Sequence, residues 1–132
     1  LQTVVPLLYH DELPEDALFC SMIDARRMEV YAEIYDRALN IVRPTQPDIV
    51  TTDTYKDLLD KGTVCFFGEG SAKCKEVINH PNAIFLDDIK PLARYMAPLA
   101  EMRLRKNQTE DVAYFVPFYL KDFVAGKPKA QK

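Results

Sequence analysis

Residues 18–23, Leu-Phe-Cys-Ser-Met-Ile, form a nearly continuous apolar run, the pattern of a strand buried on both faces. From Met28 to Tyr35 the pattern becomes an alternation, with Met28, Val30, Ala32 and Ile34 set against Glu29, Tyr31, Glu33 and Tyr35. That period of two predicts a second strand with one apolar face and one wet face carrying two carboxylates and two phenols. A charged turn joins the two strands into a hairpin. A short third strand is expected over 39–42, ended by Pro44 and Pro47 because proline removes a ladder donor.

The period then lengthens. Thr52 predicts the cap of a short helix with Tyr55, Leu58 and Leu59 facing inward, and Gly62 its left-handed C-terminal residue. A buried strand over 63–67, a helix over 71–79 with Cys74, Val77 and Ile78 inward, and a strand over 83–86 follow. The last large element is a helix over 89–106, capped by Asp88, with Ala93, Met96, Ala97, Ala100 and Leu104 on its apolar face. Pro91 suits the first turn, whereas Pro98 falls in the interior and predicts a kink. Beyond it, Val112, Tyr114, Val116 and Phe118 alternate with Ala113, Phe115 and Tyr119, which predicts an ordered extension packed back on the domain over 112–124. At the other end, Val4, Val5, Leu7, Leu8 and Tyr9 surround Pro6 and require a covering surface. The whole succession predicts an α/β fold with a mixed sheet, an antiparallel hairpin joined to parallel strands.

Composition narrows the partners. A chain of 132 residues fits one domain and can bury roughly 68 to 70 per cent of its unfolded surface. A formal charge of −3 argues against a free-standing nucleic-acid binder, which needs clustered Lys and Arg. Arg103, Arg105 and Lys106 come nearest to a basic patch, and their place at a helix C-terminus accounts for them through the dipole. Cys20, Cys65 and Cys74 are odd in number and lack CxxC spacing, so they read as buried, reduced thiols. His10 and His80 lie far from every cysteine in sequence, and neither HExxH nor HxxxH occurs, so neither a Cys-His nucleophile nor a metal centre is expected. No apolar run is long enough to span a bilayer and no signal peptide opens the chain, so a cytoplasmic address is expected.

Three segments carry a family resemblance: residues 22–35, Met-Ile-Asp-Ala-Arg-Arg-Met-Glu-Val-Tyr-Ala-Glu-Ile-Tyr; the turn Gly68-Glu69-Gly70-Ser71; and residues 114–121, Tyr-Phe-Val-Pro-Phe-Tyr-Leu-Lys. Together they resemble the TsaB (YeaZ) family. The resemblance runs from about Leu18 to Phe123 and covers only the C-terminal part of such a protein, because nothing matches the opening strand and glycine-bearing turn of the family's N-terminal lobe. It implies one lobe of an actin/Hsp70-like (ribonuclease H-like) fold, with flanking helices. On that basis 1–17 are the connection between lobes or a remnant and 18–123 the C-terminal lobe, while the lysine-rich composition of 124–132 predicts a disordered tail. It also implies a non-catalytic subunit in bacterial tRNA threonylcarbamoyladenosine (t6A) synthesis. TsaD would transfer the threonylcarbamoyl group, TsaE would act as the ATPase component, and tRNA would be met only indirectly. A glycoprotease-like label attached to relatives stems from their resemblance to TsaD, whose HxxxH metal motif has no counterpart here. A lobe without its companion is expected to self-associate, as a homodimer or an aggregate, through 4–8.

Candidate chemistry lies where such a fold would hold it. In nucleotide-binding relatives the aspartate ending the first strand is followed by glycines, so that backbone amides approach phosphate closely. Here Asp24 is followed by Ala25, Arg26 and Arg27, which reads as a decayed phosphate loop or a salt-bridged corner, with Arg26 or Arg27 as a charged fork for an anion. Gly68, Gly70 and Ser71 sit between a predicted strand and a helix, where open α/β sheets bind ligands. The Walker lysine is absent and Glu69 opposes phosphate, so the turn also reads as a tight connection with glycine at positive φ. Glu29 and Glu33 are about 13 Å apart along a strand, too far for a retaining pair, and read as solvated. Asp87 and Asp88 read as helix-capping residues. Arg26, Arg27, Gly68, Gly70 and Ser71 are therefore the candidate anion contacts, and no catalytic, cofactor or metal residue is expected. The alternatives are an ATP-dependent kinase or hydrolase lobe using Asp24 and 68–71, and a homo-oligomeric binding module.

Overall fold

The computed structural model describes Val5 and residues 11–122. Five strands, β1 (Leu18–Asp24), β2 (Glu29–Tyr35), β3 (Ile41–Ile49), β4 (Val64–Phe67) and β5 (Ala83–Leu86), form one mixed sheet in the order β3-β2-β1-β4-β5. β1 pairs antiparallel with β2 and parallel with β4, β2 with β3 is antiparallel, and β4 with β5 is parallel. Helix α1 (Lys56–Leu59) enters β4 and α2 (Ser71–Cys74) leaves it; a 3-10 turn (Ala93–Met96) and α3 (Ala97–Arg105) follow β5. The expected α/β architecture with a hairpin feeding parallel strands is thus the observed one.

The apolar run of β1 reflects a central strand with a core on each face. Cys20 and Met22 lie with Val30, Ala32, Ile34, Tyr55, Leu59, Phe66, Cys74 and Ile78 in one core. Phe19 lies on the other face with Tyr35, Cys65, Phe67, Leu13, Ala17 and Val5. The second core explains why Tyr35, expected on a wet face, is instead fully buried: it stacks on Phe19 at 5.9 Å between centroids and meets Phe67 edge-on at 6.4 Å. Arg37 Nη2 donates to the carbonyls of Leu13 and Pro14, which fastens residues 11–17 over that face. Val5 is buried there too, so at this residue the apolar N-terminal segment finds its cover within the chain. The expectations for Val4, Leu7, Leu8, Tyr9, His10 and 124–132 fall outside the described residues.

Several boundaries differ from expectation. β3 runs through Pro44 and Pro47 rather than ending before them, because it is an edge strand whose outer side needs no ladder donors, and its register shifts opposite Ile34. Thr52 caps nothing: Thr51 and Thr54 bond each other at 3.0 Å in a separate turn, and α1 starts at Lys56. Gly62 is not left-handed and donates its amide to Leu58 O at 3.2 Å. α2 is shorter than 71–79, continuing only as turns to Ile78, yet Cys74 and Ile78 face the core as expected. The long helix over 89–106 is broken into the 3-10 turn and α3 because Pro98 sits in the first turn of α3, where its missing N–H would have no partner anyway. Asp88 has φ 63° and caps no helix. The apolar face of this segment is not core: no residue of the 3-10 turn or α3 is buried. The extension over 112–124 is not packed back either, since Val112 to Tyr119 carry no strand and are exposed.

Edge strand β3 is secured by a polar knot. The buried Asp48 carboxylate accepts from Tyr55 Oη at 2.7 Å, from Gln46 Nε2 at 3.0 Å and from the Arg43 guanidinium, which also lies over the Tyr55 ring. Burial above all pushes the Tyr55 phenol up, so it stays protonated and donates. Among the described residues no helix is long and apolar enough to cross a membrane. Asp48→Ala is expected to destabilise the fold by about 2 to 3 kcal/mol, below the full cost of a broken buried pair because Arg43 keeps some solvent contact. Tyr55→Phe is expected to cost about 1 to 2 kcal/mol, since it removes one donor from the same carboxylate. Urea unfolding of both variants measures this.

Candidate functional site

The structure brings two of the sequence candidates together. The carboxyl ends of parallel strands β1 and β4 lie side by side, so the Asp24–Met28 turn meets the Gly68–Ser71 turn. Contact is tight: Gly70 N–H donates to Met22 O at 3.2 Å. A Cβ on Gly70 would stand 2.9 Å from Val30 Cγ1 and 3.0 Å from Ile23 C, so the absent side chain serves close approach. Gly68 has φ 99°, the conformation expected of a tight turn, whereas Gly70 does not need positive φ.

Lys73, which the sequence reading passed over, occupies the joint. Its Nζ lies 2.6 Å from Asp24 Oδ1 and 2.7 Å from Glu29 O. The hydrogen bond from Lys73, helped by the Arg26 amide at 2.7 Å from the same oxygen, holds the Asp24 carboxyl below the usual carboxylate range. Only the α-helical placement of Lys73 one turn into α2 reveals it; its sequence context, Ala-Lys-Cys-Lys, carries no motif.

Several of the donors around the joint are already engaged within the chain. Ser71 Oγ and Ser71 N–H both donate to Gly68 O, at 2.8 and 3.1 Å, Gly70 N–H to Met22 O, and Ala25 N–H to Glu29 O at 3.1 Å. Arg26 and Arg27 stand consecutively at φ 73° and 48°, left-handed positions that cost a non-glycine residue roughly 1 kcal/mol or more each. The corner bonds around Asp24 and Glu29 hold that turn in place. Both arginine side chains are exposed and, among the described residues, make no ion pair. The salt-bridged corner is the reading that the geometry supports, with Lys73 rather than an arginine as its cation.

The remaining candidates have structural partners. Glu29 pairs with Lys121, and Glu33 accepts from Thr45 Oγ1 at 2.6 Å, so neither is the freely solvated carboxylate expected. Asp87 pairs with Lys75 at 3.1 Å. His80 Nδ1 accepts the Asn82 amide at 3.1 Å, which leaves Nε2–H to face Asp60 at 3.2 Å. Arg105 pairs with Glu101 one turn back, near the C-terminus of α3. Cys20, Cys65 and Cys74 are buried and unpaired; burial pushes the Cys65 thiol up to about 12 and raises the other two, so none is a thiolate at neutral pH.

A groove of about 530 Å³ opens on the second face of the sheet, where the cover over Phe19 and Tyr35 ends. The cross-strand pairs Phe19↔Tyr35, Ser21↔Glu33 and Ile23↔Tyr31 run outward in that order, from full burial to the groove floor. Leu92 and Met96 form its wall.

No protein-family model and no curated protein matches this sequence. Among solved structures, the chain is similar to an uncharacterized protein from Pseudomonas aeruginosa described as having similarity to peptidase YEAZ, with a TM-score of 0.64 at 19% identity. The match covers 92% of this chain and 56% of that one. At this identity the likeness is one of fold: the chain has a YeaZ-like fold and spans little more than half the length of its neighbour.

The Asp24 titration tests the corner. Because its folded pKa lies below the unfolded value, the stabilisation it contributes is present above the ordinary carboxylate range and is lost as pH falls through the lowered pKa. Lys73→Met is expected to move the Asp24 carboxyl carbon titration, followed by NMR, back up toward about 3.9. An unchanged midpoint would show that Lys73 is not the main cause.

Proposed function

We propose that this chain is part of a non-catalytic subunit of the bacterial t6A-modification machinery, working in the cytoplasm with TsaD and TsaE and meeting tRNA only through them. The observation that carries this reading is the corner at the ends of β1 and β4. In the superfamily's nucleotide-binding members that position holds phosphate; here the Lys73 ammonium, bonded to Asp24 and Glu29 O, fills it from within, while Gly70 and Ser71 donate inward. The YeaZ-like fold supports the family side of the reading.

A bacterium depleted of its own TsaB provides the test. Expression of the protein from the complete reading frame is expected to restore t6A in digested tRNA, measured by mass spectrometry, while the purified protein alone turns over no ATP. Failure to restore t6A would contradict the assignment. ATP turnover by the purified protein that disappears in Asp24→Ala would favour a kinase or hydrolase lobe instead.

A further inference from the structure

The groove on the second sheet face holds a carboxylate that its surroundings do not neutralise. Glu33 is half-buried and, among the described residues, is the single charged group lining the groove. Thr45 Oγ1 donates to it at 2.6 Å, which supplies one of the roughly four hydrogen bonds that a carboxylate accepts. Among the described residues no cation pairs with it. Its neighbours across the groove are apolar, Ile23 from β1 and Leu92 and Met96 from the segment after β5, and such walls solvate a charge poorly.

One step along the same face of β2, the structure shows a cation in a matching place. Glu29, Tyr31 and Glu33 alternate on that face, each about 7 Å from the next. At the Glu29 end the Lys121 ammonium pairs with the carboxylate and lies over the Tyr31 ring, 6.0 Å from its centroid. The row of carboxylate, aromatic ring and carboxylate is therefore filled by a cation on the Glu29 side and open on the Glu33 side.

We infer that the Glu33 side of the groove is a docking site for an arginine side chain flanked by apolar residues, carried by a segment of a partner protein. A guanidinium offers a planar fork of donors to the carboxylate and stacks on an aromatic face, so Glu33 and Tyr31 together fit it. Apolar residues on either side of the arginine match Ile23, Leu92 and Met96. The shape of the groove selects a polypeptide over a small free cation. Ile23, Leu92 and Met96 are 55%, 41% and 68% exposed, whereas sites for small ligands bury roughly 70 to 90 per cent of the ligand surface. A segment running along the groove covers all three walls at once. Phosphate-bearing partners do not suit it, because the lone charge is negative. The chemistry of the groove does not depend on the t6A assignment.

A blocked tripeptide, acetyl-Phe-Arg-Leu-amide, carries a guanidinium as its only charge and serves as the probe. Titrated into the full chain, it is expected to give saturable shifts of the Ile23, Leu92 and Met96 methyl resonances. Glu33→Gln in the protein, or citrulline in place of the peptide's arginine, is expected to weaken binding about tenfold or more, because each removes the charge from one partner of a charge-assisted hydrogen bond. Glutamine keeps an acceptor for Thr45, and an unchanged amide spectrum checks the fold of the variant; the citrulline peptide decides the matter on the unaltered protein. No saturable shift at these methyls up to millimolar peptide, or equal binding of the citrulline peptide, would overturn the proposal. Butylguanidinium bound as tightly as the tripeptide would overturn the choice of a polypeptide in favour of a small amphipathic cation. Shifts of the same methyls with protein concentration alone would overturn it too, by assigning the occupant to a second copy of the chain.

Discussion

Close contact between the end of β1 and the turn after β4 is the constraint from which most of the structure follows. Gly70 must lie against Ile23, Asp24 and Val30 for its amide to reach Met22 O, and only a residue without Cβ fits. That approach sets where α2 begins, and α2 in turn places Lys73 over the Asp24–Met28 turn and Cys74, with Ile78 beyond it, into the core. The lysine then neutralises the aspartate and caps Glu29 O, so a turn built from two left-handed arginines is held without an external ligand.

The two faces of the sheet meet different fates. One is closed by α1, α2 and Val50, and its edge is pinned by the Asp48 knot. Among the described residues, the other is closed at the Phe19–Tyr35 end, by Val5, Leu13 and Ala17, and opens progressively toward Ile23 and Tyr31. Polar residues of β2 appear where the cover stops: Tyr35 is inside, Glu33 and Tyr31 are half-buried in the groove, and Glu29 holds Lys121. The apparently amphipathic strand is therefore one row of side chains passing from core to groove.

Where neighbours in sequence determine structure, the chain was legible. The apolar run of β1, the alternation of β2 and the strands around 64–67 and 83–86 were all expected, since each reflects a local period imposed by burial. What was hidden depends on distant partners. Tyr35 looked solvated because the residues that cover it lie at Leu13 and Ala17, and β3 looked short because edge position alone excuses Pro44 and Pro47. The apolar stripe at Ala93, Met96, Ala97, Ala100 and Leu104 suggested a core helix, yet it faces solvent; periodicity reports an apolar face without saying what covers it. At the candidate site, the sequence points to Asp24 and 68–71, which the fold brings side by side, whereas Lys73 carries no signal in the sequence because its partner Asp24 lies 49 residues away.

The corner is filled from within by the Lys73 ammonium. Titration of the intact chain with Mg·ATP, followed through the backbone amide resonances of 24–27 and 68–71, tests it directly. The expected result is no saturable shift at those amides up to millimolar nucleotide, whereas saturable shifts centred on Gly68, Gly70 and Ser71 would show an open phosphate site and contradict it.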